Sequence, residues 1–215
     1  MKIKFLTLLS CVVILFFPKL SRTDELKRNL FVLGVQIGGA ECIATLFENF
    51  PIKDKPGAFD LIKRNVTWSL DTARAMGNPA NGLAQLKSDL SKLTFRGIRQ
   101  RLMDIIVAEQ AAWASMSTQA SSLFVLGIHL EGAECIASEV QGFQRQEKPG
   151  SLDLITRNVG WIRDEVRLTN LGLNTALVDA LRNDIPKAAT FLSMYNQLSV
   201  IRETWQSELL SQGPF

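Results

Sequence analysis

A chain of 215 residues, 47% apolar and 21% charged, can bury one large core or two small ones, which excludes a disordered polymer for most of its length. Its formal net charge of +3 is too small to point to nucleic acid.

The first segment reads as an export signal. Met1-Lys-Ile-Lys4 is basic, and residues 5–17 are apolar apart from Thr7 and Ser10. That run is shorter than the ~20 residues of a spanning helix, and Pro18 ends it. Pro18-Lys-Leu-Ser21 lacks a small-x-small cleavage pattern, so residues 1–22 are a signal peptide or, uncleaved, an N-terminal anchor. The apolar run continues past Cys11 to Phe17, which argues against lipidation at Cys11. The expected location is periplasmic or secreted, with membrane contact only through this segment if it stays attached.

Beyond residue 22 the texture is helical. Thr23 and Asp24 are N-cap residues for a helix reaching about Asn49, whose centre, 30–47, is apolar almost all round. Pro51 and Lys55-Pro-Gly57 end it. A second helix covers 58–76, with Asp60 in its first turn, where a carboxylate suits the helix dipole. A turn cluster at 77–82 leads to a short helix over 83–93 and a long one over 97–117. The same plan follows over 122–143, 151–169, 173–183 and 186–210, the last helix starting at Asp184 and Pro186. Ser115 to Ser122 is small and polar, and serves either as a joint or as part of one long helix. No stretch alternates long enough to be a strand.

The second half restates the first. Leu30-Phe-Val-Leu-Gly34 returns as Leu123-Phe-Val-Leu-Gly127, and Gly39-Ala-Glu-Cys-Ile-Ala44 as Gly132-Ala-Glu-Cys-Ile-Ala137. Lys55-Pro-Gly57, Asp60-Leu-Ile62, Arg64-Asn-Val66 and Trp68 recur at the same offset of 93 residues. Over 30–68 and 123–161, 22 of 39 positions are identical without a gap. The expected fold is therefore all-α. It consists of two tandem homologous helical units, 23–117 and 118–215, each of three to four antiparallel helices, packed as a pseudo-two-fold bundle. The first helix of each unit is too apolar to be covered by three short neighbours, so the units should share one core.

Glycine inside a helix costs about 1 kcal/mol relative to alanine. Gly34, Gly38, Gly39, Gly127 and Gly132 are therefore expected where backbones approach closely. Trp68 and Trp161 on the second helices, with Trp113 and Trp205 on the fourth, are expected as core anchors. Glu41 and Glu134 sit in the most apolar helices, where a carboxylate needs a partner. The repeated Arg64 and Arg157 are the expected partners, tying the first helix to the second; otherwise the two carboxylates face one site across the axis. Cys42 and Cys135 are either buried thiols or, in an oxidising compartment, one disulfide, which requires Cα atoms about 4.4–6.8 Å apart.

His129 is the only histidine, and Gln36 is its counterpart. The chain has no Cys-x-x-Cys, His-Glu-x-x-His, Glu-x-x-His pair or haem-attachment motif, so no metal or cofactor is implied. No nucleophile elbow accompanies His129, and no catalytic residue is assigned. The basic cluster of Lys87, Lys92, Arg96, Arg99 and Arg101 is interleaved with Asp89 and Asp104 and reads as a solvated face.

The functional expectation is an exported, non-enzymatic helical-bundle protein, serving as a structural, interaction or small-ligand-binding module. Its partner is a protein of unknown identity or a second copy. The alternative is an enzyme or sensor with a site on the pseudo-axis between the two first helices. Ligand-binding candidates are Glu41, Glu134, Arg64, Arg157 and His129.

Overall fold

The computed structural model describes residues 25–187 and 190–212. The export-signal reading of residues 1–22 lies outside the described residues. Within them the chain forms eight α-helices and no strand: α1 (Leu26–Leu46), α2 (Pro56–Ala75), α3 (Asn81–Asp89), α4 (Phe95–Met116), α5 (Thr118–Glu139), α6 (Pro149–Thr169), α7 (Ala176–Asp184) and α8 (Phe191–Ser211).

Local chemistry sets the boundaries. Pro56 and Pro149 open α2 and α6, where the missing N–H is not needed. Thr94, Ser117 and Thr190 cap α4, α5 and α8 by accepting from the backbone N–H of Gly97, Ala120 and Ser193. Ser117 is extended, at φ −163° and ψ 151°, so a single residue separates α4 from α5. The last helix does not begin at Pro186. Asp184 closes α7, and Thr190 caps α8 four residues before the buried Met194. Asn170, at φ 49°, ends α6 in the left-handed conformation that asparagine tolerates.

The core is built around α1 and α5. Both are long and apolar enough to cross a membrane, yet most of each is buried among the other helices. They run side by side and parallel, so that Gly34 meets Gly127 and Cys42 meets Cys135. Helix α2 packs on α1 and α6 packs on α5, while α4 and α8 each touch both central helices. Helix α3 bridges α2 and α4 as α7 bridges α6 and α8. This symmetric set of contacts is consistent with a tandem two-fold repeat. One continuous core results, drawing Phe31, Ile37, Phe95 and Leu102 from one half and Phe124, Leu130, Phe191 and Leu198 from the other.

Candidate functional site

The crossing of α1 and α5 is closed by backbone. A Cβ on Gly34 would run into the carbonyl oxygen of Phe124, and one on Gly127 into that of Phe31. At Gly38 it would stand 3.0 Å from the Cα of Ile128. About one turn beyond Gly38, the sulfurs of Cys42 and Cys135 lie at disulfide distance, with Cα atoms 6.6 Å apart. Gly34, Gly38 and Gly127 stand at this close approach, whereas a Cβ on Gly132 would meet nothing within 4 Å. The axis itself leaves no room for a ligand at the level of Gly34 and Gly127.

The repeated glutamates find their partners on the fourth helices of each half. Glu41 accepts from Thr45 Oγ1 at 2.7 Å and lies 3.5 Å from Arg99 Nε, whose Nη1 reaches Glu48 at 3.3 Å. Glu134 lies 3.3 Å from Arg202 Nη2. The expected pairing with Arg64 and Arg157 is not formed. Both arginines are exposed, and Arg157 bonds instead to Asp153, one turn earlier on α6. The reason is helical phase. The inward face of α2 is Ile62, Val66, Ser69, Leu70 and Ala73, and position 64 falls between 62 and 66 on the opposite side.

The same phase turns Trp68 and Trp161 outward, at 51% and 52% exposure, so they are not core anchors. The buried tryptophans are Trp113 and Trp205. Trp205 is fully buried, meets Phe31 edge-on at 6.4 Å between ring centroids, and donates from Nε1 to the carbonyl of Asn174 at 3.0 Å.

Sequence reasoning missed Glu131. It lies on α5 across the glycines of α1, with its buried Oε2 3.7 Å from Arg202 Nη1 but without a hydrogen-bond partner. Burial, reinforced by the neighbouring Glu134 and only partly opposed by Arg202, raises its pKa to about 7. Burial also raises that of Glu134, against Arg202 and Ser199. The signal was legible: Glu131 stands where the first repeat has Gly38.

A consequence follows for stability. Native Glu131 keeps its proton up to about pH 7, whereas an ordinary glutamate releases it near 4.5. The native state therefore binds more protons between these values, and stability falls as pH rises through that window, by on the order of 3 kcal/mol from this group. Glu131→Gln should flatten the decline and exceed the wild type in stability at pH 8. Urea unfolding at pH 5 and pH 8 measures it; an unchanged difference between the two pH values would remove Glu131 from the account.

Beside the crossing lies a groove of about 290 Å³, lined by Gly38, Glu41 and Cys42 of α1, His129, Gly132 and Ile136 of α5, and Leu154 and Asn158 of α6 among others. Here the candidates Glu41, Cys42, Gly38, Gly132 and His129 come together. Glu134, Arg64 and Arg157 do not join them. Asn158 donates from Nδ2 to the carbonyl of Leu154 at 3.1 Å, leaving Oδ1 to accept from His129 Nδ1 at 3.1 Å. The imidazole also packs on Trp161 at 5.0 Å. Burial lowers the His129 pKa, opposed by the Asn158 hydrogen bond and by Glu165. In the first half its counterpart Gln36 accepts from Thr72 Oγ1 at 3.0 Å. The described residues contain no group of three His, Cys, Asp or Glu able to hold a metal ion.

No protein-family model, curated protein or solved structure matches the chain. The described residues carry no obvious catalytic or metal-binding motif.

Proposed function

We propose that this chain is an exported, non-enzymatic interaction module, made of two repeats that meet at Ser117, which presents the same binding face on α2 and on α6. One observation carries the reading. The two repeats have kept identical residues that face solvent: Phe50 and Phe143, Leu61 and Leu154, Arg64 and Arg157, Trp68 and Trp161. Positions 45–49 and 51–54 all differ from their counterparts, as do 58, 59, 63 and 67. Retention is therefore selective, and core packing does not account for it on an exposed face. Spacing supports a single surface, because 57, 61, 64 and 68 fall on one side of a helix. Large apolar side chains kept in water, flanked by charges, suit contact with a partner.

Export is supported by the basic and apolar N-terminal pattern and by the cysteine pair at disulfide distance, which suits an oxidising compartment. We read that pair as a formed bridge in the mature protein.

A photo-crosslinking amino acid placed at 68, at 161 and, as control, at 107 tests the face. Val107 is an exposed apolar residue outside the repeated window. In the producing cell, positions 68 and 161 should capture the same partner and position 107 none. Equal capture at all three positions, or none at 68 and 161, would refute the shared face.

A further inference from the structure

The outward stripe of α2 continues past Trp68. Gly57, Leu61, Arg64, Trp68, Asp71 and Ala75 advance by alternating steps of four and three residues, are all exposed, and lie opposite the buried Ile62, Val66 and Ala73. On α6 every step of the stripe is identical except the last, where Leu168 replaces Ala75. Beyond Trp68 the core positions have changed: buried Ser69 and Ala73 give way to buried Ile162 and Val166, and Leu70 to Arg163. Asp71 is nevertheless kept as Asp164. The order of charges on the stripe is retained where the packing beneath it is not.

That order is self-complementary. Arg64 stands four residues before Trp68 and Asp71 three after it, about 6 Å and 4.5 Å along the helix axis. An identical helix laid antiparallel across the stripe, about a two-fold axis beside Trp68, sets Arg64 opposite Asp71 of the second copy and Asp71 opposite its Arg64, with the two indoles side by side. A parallel partner would set arginine against arginine and aspartate against aspartate, so the charges select one direction. Among the described residues Arg64 and Asp71 enter no ion pair. On α6, Arg157 bonds to Asp153 and Asp164 lies 3.5 Å from Arg163; Arg157, Asp153 and Asp164 are all exposed, and such pairs exchange for a competing charge at little cost. We propose that the partner of this face is a second copy of the chain, seated antiparallel so that each arginine of a stripe meets the aspartate of the other around paired tryptophans, an inference that rests on the reading of α2 and α6 as binding faces. Because both helices carry the same order, either one can meet either one of the next copy. A buried tryptophan flanked by an arginine suits the centre of an interface, and one helix stripe is smaller than a standard interface, so each contact is weak.

The test is sedimentation of the purified oxidised chain at low salt between about 1 and 500 μM, the range open to an interface below standard size. The wild type should show a mass above that of one chain that rises with concentration. Arg64→Asp with Arg157→Asp makes each stripe wholly acidic and should weaken self-association by about tenfold or more. Adding Asp71→Arg with Asp164→Arg should restore it, at an unchanged net charge, a recovery that a damaged fold or unspecific attraction cannot mimic. A single-chain mass for the wild type throughout, undiminished association of the acidic variant, or no recovery in the swapped variant would each overturn the proposal. The photo-crosslinks at 68 and 161 separate this from the broader reading. Crosslinked pairs of the chain itself support the second copy. Capture of a different protein, with the wild type sedimenting as one chain, overturns the second copy and leaves the binding face standing, and capture of nothing removes both.

Discussion

Gly34→Ala should lose more than about 3 kcal/mol of stability, or fail to fold. A single methyl group there meets three backbone atoms at once: it runs into the carbonyl oxygen of Phe124, and it stands 3.0 Å from that carbonyl carbon and 3.2 Å from the Cα of Gly127. Backbone has no alternative rotamer, so the strain is relieved only by separating α1 from α5. That separation also loosens α4 and α8, which rest on both. Gly132→Ala is the matched control on the same pair of helices. Its Cβ meets nothing within 4 Å, so removing a helical glycine should stabilise by up to about 1 kcal/mol. Urea unfolding of the two oxidised variants compares them directly. Similar midpoints would mean that the crossing is not closed by backbone contact at Gly34.

Replacing both cysteines by serine should cost about 4–5 kcal/mol in the chain-entropy model, because the bridge closes a loop with a sequence separation of 93 residues. That loop contains α2, α3 and α4 entire. The double substitution leaves no free thiol among the described residues, so the result is not confused by exchange. The expected readout is a large fall in urea midpoint with little change in the helical circular dichroism at zero denaturant, or, where marginal stability is exceeded, loss of the folded state. A difference below about 1 kcal/mol would show that the two sulfurs are neighbours without being bonded, since the entropy term for so long a loop cannot be that small.

What the sequence made legible was whatever the repeat forced to be symmetric. Equivalent residues on equivalent helices can meet only near a common axis, so the offset makes a meeting of Gly34 with Gly127 and of Cys42 with Cys135 possible, while leaving open glycine contacts to the second helices and separate buried thiols. Partner choice was less legible. Glu41 and Glu134 are equivalent, yet Arg99 and Arg202, which meet them, are not at the repeat offset, because the fourth helices have drifted in register. Arg64 and Arg157 were attractive because they were repeated, but helical phase turns them to water.

Trp68 and Trp161 carry the same lesson. Identity between halves does not distinguish a core position from an exposed one, and only the phase relative to Ile62 and Val66 separates the two. Glu131 was overlooked for the opposite reason: it breaks the repeat. The one substitution of a glycine by a carboxylate in the densest part of the repeat is what makes one flank of the crossing filled and the other open. Gly39 and Gly132 are identical in sequence and different in surroundings: Glu131 and Asn65 stand over Gly39, and nothing lies within 4 Å of a Cβ on Gly132.

The central claim is that two homologous helical units meet face to face through α1 and α5 and are tied there in an oxidising compartment. A peptide map of the unreduced, alkylated protein, recovered from the cell that makes it, tests that claim most directly. One cross-linked peptide pair containing Cys42 and Cys135, with neither residue recovered as an alkylated free thiol, is the predicted result. Recovery of both cysteines as free thiols would contradict it.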